Sequence, residues 1–234
     1  QVTALQTGQV DAIQDIAADY LPMFPAGGQY ADNFNVISYM QAGQISISPN
    51  NNPEMSLFGS QDLRLALFYA TDPEVFVTGM GGDTYGIVCH SLFGAGQADA
   101  LASWETLDNY QNVYDLDKAK EYMDKAGYNG EALQLVTQQS LGDAAQLLQN
   151  MWAAAGFNIE LNVLDTSTAN DRKDAGDFDV MIGNSAGYCG AVQASRAFGK
   201  NNKTGLGSAD MVDDQEWFDL LTTINTLEGH TEEN

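Results

Sequence analysis

The chain has 234 residues, with 32 Asp or Glu against 9 Lys or Arg, so its formal net charge at pH 7 is −23. This charge excludes a protein that wraps nucleic acid, because neutralising phosphates needs clustered cations. The hydrophobic content of 44% is typical of a globular protein of one or two domains. No apolar stretch reaches the ~18 residues of a membrane span, and no signal peptide opens the chain, which predicts a cytosolic protein or one whose leader was removed.

The first 53 residues predict short elements followed by a boundary. A short helix is expected to end near Gly8, with a brief strand at residues 10–13. Apolar residues alternate over residues 36–40 and 45–48, which indicates a hairpin or a pair of strands. Two prolines and three asparagines interrupt this pattern at residues 49–53, which suggests a lobe boundary there.

Two helices are predicted after that break. Ser60 is a candidate N-cap for the first, because the apolar residues that follow it keep the i, i+3, i+4, i+7 spacing of one buried face. These apolar residues are Leu63, Ala66, Leu67 and Ala70. Asp72 and Pro73 have the residue types of an N-cap and a first helical position, so they predict the start of the second helix. The glycines expected to end it are Gly79, Gly81 and Gly82.

The segment from residue 115 to 187 predicts alternating strands and helices. Asp115 and Gly127 mark the start and end of one helix, and Gly156 marks the end of another. Strands are predicted at residues 133–136 and 157–163, and a central strand at residues 177–182 follows a polar helix or loop. This β-α-β-α-β order favours an α/β sheet with parallel neighbours. A last helix is predicted to turn four apolar residues inward, namely Trp217, Leu220, Leu221 and Ile224.

A serine-nucleophile motif is present directly after the central strand. Residues 183–187 (GNSAG) match G-x-S-x-G, with Ser185 as nucleophile, Asp210 or Asp219 as acid and His230 as base. Three observations oppose a hydrolase. Only 45 residues separate the serine from the histidine, that histidine is four residues from the end of the sequence, and no HGGG-type oxyanion segment comes before the serine. The alternative interpretation is a glycine-rich turn at the carboxyl end of a strand.

No motif predicts a cofactor or a metal site. The two cysteines, Cys89 and Cys189, are too few for a disulfide framework and lack the spacing of zinc ligands. Their redox state stays open at this stage.

Five segments, in order, resemble the family 5 extracellular solute-binding proteins of ABC transporters, the group that binds dipeptides, oligopeptides and nickel. The most specific is the stretch YDLDKAKEYMDKAGY at residues 114–128. The others are LQTGQVDAI at residues 5–13, DLRLALFYATDPE at 62–74, the helix and strand at 144–163, and GDFD at 176–179.

The resemblance implies an α/β fold, namely a lobe of the periplasmic-binding-protein type II kind with a mixed sheet flanked by helices. Residues 1–44 would be the tail of a first lobe and its approach to the hinge, and residues 45–234 a second lobe that is incomplete at its C-terminal end. The implied protein is not an enzyme and needs no cofactor. It lies outside the cytoplasm, usually on a lipid tether, and it delivers a peptide or similar small solute to the permease subunits of an ABC importer.

Candidate site residues follow from this resemblance together with the rule that ligands meet the carboxyl ends of strands in α/β sheets. Those expected to face the ligand are Asn184, Ser185, Gly187 and Tyr188, and those expected near the hinge are Ser48, Asn50 and Asn51. Peptide-binding members often carry an aspartate shortly after this strand that pairs with the free amine of the ligand. Residues 188–193 (YCGAVQ) contain no aspartate, which argues against such an ion pair with the free amine and leaves the identity of the solute open.

Overall fold

The computed structural model describes residues 1–14, 16, 18–24, 27–37, 43–89, 103, 106, 114–185, 215–224 and 226. Its strands are β1 (Gln44–Pro49), β2 (Leu133–Gln138), β3 (Ile159–Leu164) and β4 (Val180–Ser185). Its helices are α1 (Val2–Gln6), α2 (Gln61–Tyr69), α3 (Pro73–Met80), α4 (Leu116–Ala126), α5 (Gly142–Ala155), α6 (Thr166–Ala175) and α7 (Gln215–Ile224). The chain divides into two compact units, one within Gln1–Met40 and Val77–Ile87 and the other within Gln41–Phe76 and Val88–Asn234. The predicted assignment of residues 1–44 to a first lobe and residues 45–234 to a second lobe stays a prediction.

The first unit has a small core of its own. Val2 and Leu5 of α1 are buried together with Phe24, whose ring lies 5.7 Å from that of Tyr30. The strand expected at residues 10–13 is wrong, since these residues are irregular. The backbone N–H groups of Gln9 and Val10 both donate to the carbonyl of Ala4, so they close the end of α1 instead of entering a ladder.

The second unit contains a mixed four-stranded sheet with the strand order β1-β4-β2-β3. β2 runs parallel to both β3 and β4, which agrees with the parallel neighbours that the alternating pattern predicts, and β4 has a neighbour on each side. β1 pairs antiparallel with β4, from Gln44 opposite Ser185 to Pro49 opposite Val180. Of the run at residues 36–40, which was expected to pair with β1, the structure describes only Val36 and Ile37, and these two lie outside any strand.

Each face of the sheet is covered by helices. The apolar face presents Leu135, Val180 and Ile182 to α2, α4 and α5, and these three helices supply most of the other core residues. α6 contacts β2 from the opposite face and buries Ala169 there. The mixed sheet flanked by helices therefore agrees with the predicted fold class.

The predicted starts of α2, α3 and α4 and the predicted ends of α4 and α5 are confirmed, whereas Gly79, which was expected to help end α3, lies within that helix. Asp72 and Asp115 each accept bonds from two backbone N–H groups in the first turn of α3 and α4, and Ser60 accepts one from α2. Gly127 and Gly156 end α4 and α5 with φ of 71° and 114°, a conformation that costs a residue with a Cβ free energy. These local signals need no tertiary information, which is why the sequence predicts them well.

The last helix is only partly as expected. Leu221 of α7 is buried, whereas Leu220 is 55% exposed and Ile224 is 38% exposed. The apolar spacing therefore predicts the helix, but it does not predict which of its apolar side chains are buried. None of the helices within the described ranges is long and apolar enough to cross a membrane.

Candidate functional site

Three parallel strands of the sheet end on the same side. After β2 the chain passes through α5 to β3, and after β3 it passes through α6 to β4 on the other side of β2. The direction of winding therefore reverses between β2 and β4. In α/β sheets the crevice at such a reversal, outside the carboxyl ends of the strands, is where ligands bind. We call this side the carboxyl edge; it comprises the ends of β2, β3 and β4 and the start of β1.

The end of β4 is held in place by hydroxyl groups from both neighbouring strands. Thr137 Oγ1 of β2 donates to the carbonyl of Ile182 over 3.1 Å, and Ser46 Oγ of β1 donates to the carbonyl of Gly183 over 3.2 Å. Beyond them, Asn184 is exposed and makes no side-chain hydrogen bond to the described residues. The predicted ligand residue Asn184 thus lies at the carboxyl edge on a fixed backbone, with its amide available.

Gln138, which ends β2, was missed by the sequence reasoning. It lies half-buried at the carboxyl edge, and its Oε1 accepts a hydrogen bond from Thr166 Oγ1 over 3.3 Å. That bond orients the amide, and its Nε2 is not used by any described residue. The rule on strand ends applies to β2 as well as to β4, but the winding reversal beside Gln138 depends on β4 lying next to β2, which the order of elements alone does not show.

Two helices begin at the carboxyl edge, and each has a carboxylate in its first turn or at its cap. Asp165 caps α6 by accepting bonds from the N–H groups of Ser167 and Thr168. The hydroxyl of Thr168, with these amides, lowers the pKa of Asp165, so the group is ionised at neutral pH. Asp143 is exposed in the first turn of α5. Within the described ranges, no three His, Cys, Asp or Glu residues are grouped as a metal site.

Ser185 does not lie in a nucleophile elbow. Such an elbow needs the serine on a sharp turn after the strand, whereas residues 183–185 belong to β4 and Ser185 pairs with Gln44. Asp210 and His230 lie outside the described residues, as do Gly187 and Tyr188. The described geometry gives the hydrolase alternative no support.

The residues predicted for the hinge lie at the opposite end of β1. Asn50 is 2% exposed and donates from Nδ2 to the carbonyls of Gly176 and Phe178, each over 3.0 Å. Ser48 is buried opposite Met181, and its Oγ, like Oδ1 of Asn51, has no hydrogen-bond partner among the described residues. All three hinge candidates belong to the second unit, and their role as a hinge stays a prediction.

The sheet, its flanking helices and its carboxyl edge define a lobe of a type II periplasmic binding protein, which confirms the predicted fold class. The chain belongs to the bacterial extracellular solute-binding proteins of family 5, since the family model described as "Bacterial extracellular solute-binding proteins, family 5 Middle" matches residues 1–203. The resemblance found in the sequence is therefore confirmed. The family is one of binding proteins that act outside the cytoplasm, which agrees with the predicted location.

Solved structures with the same fold come from several bacteria. The chain is similar to the ABC transporter substrate-binding protein CtaP from Listeria monocytogenes, with 18% identity and a TM-score of 0.77 over 97% of this chain and 45% of that one. It is also similar to the oligopeptide-binding protein AppA from Bacillus subtilis, solved with a nonapeptide, with 18% identity, a TM-score of 0.72 and coverage of 97% and 46%.

A third similar structure is the periplasmic binding protein DppA from Helicobacter pylori in complex with the peptide STSA, with 17% identity, a TM-score of 0.74 and coverage of 99% and 44%. The chain thus spans about half the length of these structures. None of the curated protein sequences compared with the chain matched it.

Proposed function

We propose that the protein is the substrate-binding component of an ABC importer, and that this chain supplies one lobe of a two-lobed clamp that captures a peptide or similar small solute. The family match over residues 1–203 is the observation that carries this proposal. Two of the similar structures, AppA and DppA, were solved with bound peptides, which supports a peptide as the solute. The captured solute then passes to the permease subunits in the membrane.

In this proposal the carboxyl edge provides neutral hydrogen-bonding groups to the solute. Asn184 at the end of β4 has an amide without a described partner, and Gln138 at the end of β2 has an Nε2 that no described residue uses, so the two groups lie on the two sides of the winding reversal. Each amide can donate to a peptide carbonyl and accept from a peptide N–H. Ser185, Gly187 and Tyr188 would continue this surface, and Ser48, Asn50 and Asn51 would lie near the hinge that closes the clamp.

Calorimetric titration of the intact protein with pooled short peptides tests the proposed function. We expect saturable binding, and we expect mass spectrometry to recover the bound peptides uncleaved. A fluorophosphonate probe should leave Ser185 unlabelled, because a serine is a weak nucleophile unless a base activates it and a binding protein needs no such base. Binding of no peptide in the pools would overturn the proposed solute class, and stoichiometric labelling of Ser185 would overturn the assignment as a binding protein.

Replacement of Asn184 by alanine is expected to weaken peptide binding about fivefold to tenfold, because one hydrogen bond to the solute is worth about 1 kcal/mol. Asn150→Ala is the matched control. Asn150 is exposed on α5, where alanine favours the helix, and this variant should bind as the unmodified protein does. Equal affinities of the two variants would remove Asn184 from the site.

A further inference from the structure

Acidic residues greatly outnumber basic residues in this chain, and the basic residues are unevenly distributed along it. The first 63 residues contain no Lys or Arg, while the chain as a whole carries a net charge of −23. Six of the nine cations lie in the described residues, and all six belong to α2, α4 and α6. They are Arg64, Lys118, Lys120, Lys125, Arg172 and Lys173. None of the six belongs to the strands whose ends form the carboxyl edge.

Most of these cations already have local partners. Arg172 and Lys173 lie in the last turn of α6, at the far end of that helix from Asp165. Lys118 lies with Nζ 5.0 Å from the centre of the Tyr69 ring. The other partners are the carbonyl of Phe58 for Arg64 at 2.6 Å, Glu121 for Lys125 at 2.7 Å, and Asp177 for Arg172 at 2.9 Å. The strands whose ends form the carboxyl edge contain no Lys or Arg, so their described residues offer an anionic solute no cation.

The two helix N-termini at this edge already carry negative side chains. A helix N-terminus normally favours negative charge, because its first N–H groups are unsatisfied and its dipole is positive there. At α6 these groups already bind the carboxylate of Asp165, and at α5 Asp143 occupies the first turn. The edge therefore offers neutral amides and fixed negative charges.

We infer that the protein selects its solutes by charge, so that cationic peptides associate fastest and anionic peptides slowest. This inference rests on the proposed function. A strong net charge of one sign raises the local concentration of oppositely charged ligands and accelerates their association, by tenfold or more at low ionic strength. Salt removes the effect, because the screening length falls from about 30 Å at 0.01 M to about 3 Å at 1 M.

Stopped-flow association of the intact protein with three peptides tests the inference. The peptides are Ala-Lys-Ala-Lys-Ala, Ala-Ser-Ala-Ser-Ala and Ala-Glu-Ala-Glu-Ala, each with the same neutral fluorophore. At an ionic strength of about 0.01 M the lysine peptide should associate about tenfold or more faster than the glutamate peptide, and at about 1 M within about twofold of it. If the serine peptide binds but all three rates are equal at low salt, the charge selection is overturned and the proposed function stands. If none of the three peptides binds, the charge selection and the proposed function are both overturned.

A pair of variants locates the effect. Asp165→Asn removes one charge at the carboxyl edge and keeps the N-cap, because asparagine caps as well as aspartate. Glu131→Gln removes one charge before β2, at the opposite edge, and keeps the acceptor for the N–H of Asn129. Six residues of strand separate the edges by about 17–20 Å, about twice the screening length at 0.1 M.

At about 0.1 M salt we expect Asp165→Asn to slow the lysine peptide about twofold and Glu131→Gln to leave its rate unchanged. Equal rates for the two variants would show that the carboxyl edge does not carry the selection.

Discussion

Replacement of Trp152 by alanine is expected to lower the free energy of unfolding by about 3–5 kcal/mol, because it removes a large aromatic side chain from a packed core. Trp152 of α5 is 0% exposed and belongs to the core cluster between the sheet and α2, α4 and α5. Its indole Nε1 also donates to Thr71 Oγ1 over 2.9 Å, which ties α5 to the residues after α2. Urea unfolding of the intact protein, followed by circular dichroism, measures the change.

Trp152→Phe separates packing from the hydrogen bond. Phenylalanine retains much of the apolar contact and loses the indole N–H, so its expected cost is about 1–2 kcal/mol. Thr71 Oγ1 keeps its own bond to the carbonyl of Leu67 in this variant, so no buried hydroxyl is left unsatisfied. A cost below about 1 kcal/mol for Trp152→Ala would contradict the placement of this side chain in the core.

The features of the fold that depend only on residues close together in the sequence could be predicted from the sequence. The caps at Ser60, Asp72 and Asp115 and the glycine stops at Gly127 and Gly156 are local signals, and the structure confirms them. The β-α-β-α-β order and the parallel direction of its strands follow from the alternation of elements, whereas the order of the strands in the sheet does not.

Pairing between strands that lie far apart in the sequence could not be predicted in the same way. β1 and β4 are more than 130 residues apart, and alternating apolar residues show that a segment is a strand without showing its partner. Ile45 and Ile47 lie on the same face of the sheet as Ile182, so this pairing buries them against a core that a local hairpin does not provide.

The candidate site was predictable only in part. The rule on strand ends placed Asn184 correctly at the carboxyl edge, because β4 was recognised as a central strand. Gln138 was missed because its role depends on β4 lying beside β2, which is the position that creates the winding reversal. Asn50 was assigned to the hinge from the family resemblance, and no local pattern indicates its buried hydrogen bonds to the carbonyls of Gly176 and Phe178.

Asp179, the last residue of the GDFD segment, is the polar residue whose replacement should cost the most. Its Oδ1 accepts a hydrogen bond from Ser56 Oγ over 2.6 Å, and its Oδ2 accepts one from the backbone N–H of Gln134 over 2.7 Å. Its own backbone donates to the carbonyl of Gln134 and accepts from the N–H of Asn50. One carboxylate thus joins the start of β4, the start of β2 and the segment that follows β1.

Asp179→Ala is expected to destabilise the protein by about 3 kcal/mol, because two hydrogen bonds to a charged group are lost and their donors remain in a partly buried position. Asp179→Asn keeps one acceptor oxygen, so about half of that cost is expected. Urea unfolding of the intact protein measures both variants.

Asp177→Ala is the matched control, two residues earlier in the same segment. The side chain of Asp177 is 69% exposed and forms an ion pair with Arg172, and an exposed pair of this kind contributes about 0–1 kcal/mol. If Asp179→Ala proves no more destabilising than Asp177→Ala, the carboxylate of Asp179 does not join these three segments. If the expected order is found, the last aspartate of the GDFD segment is explained by the assembly of the sheet and needs no role in solute binding.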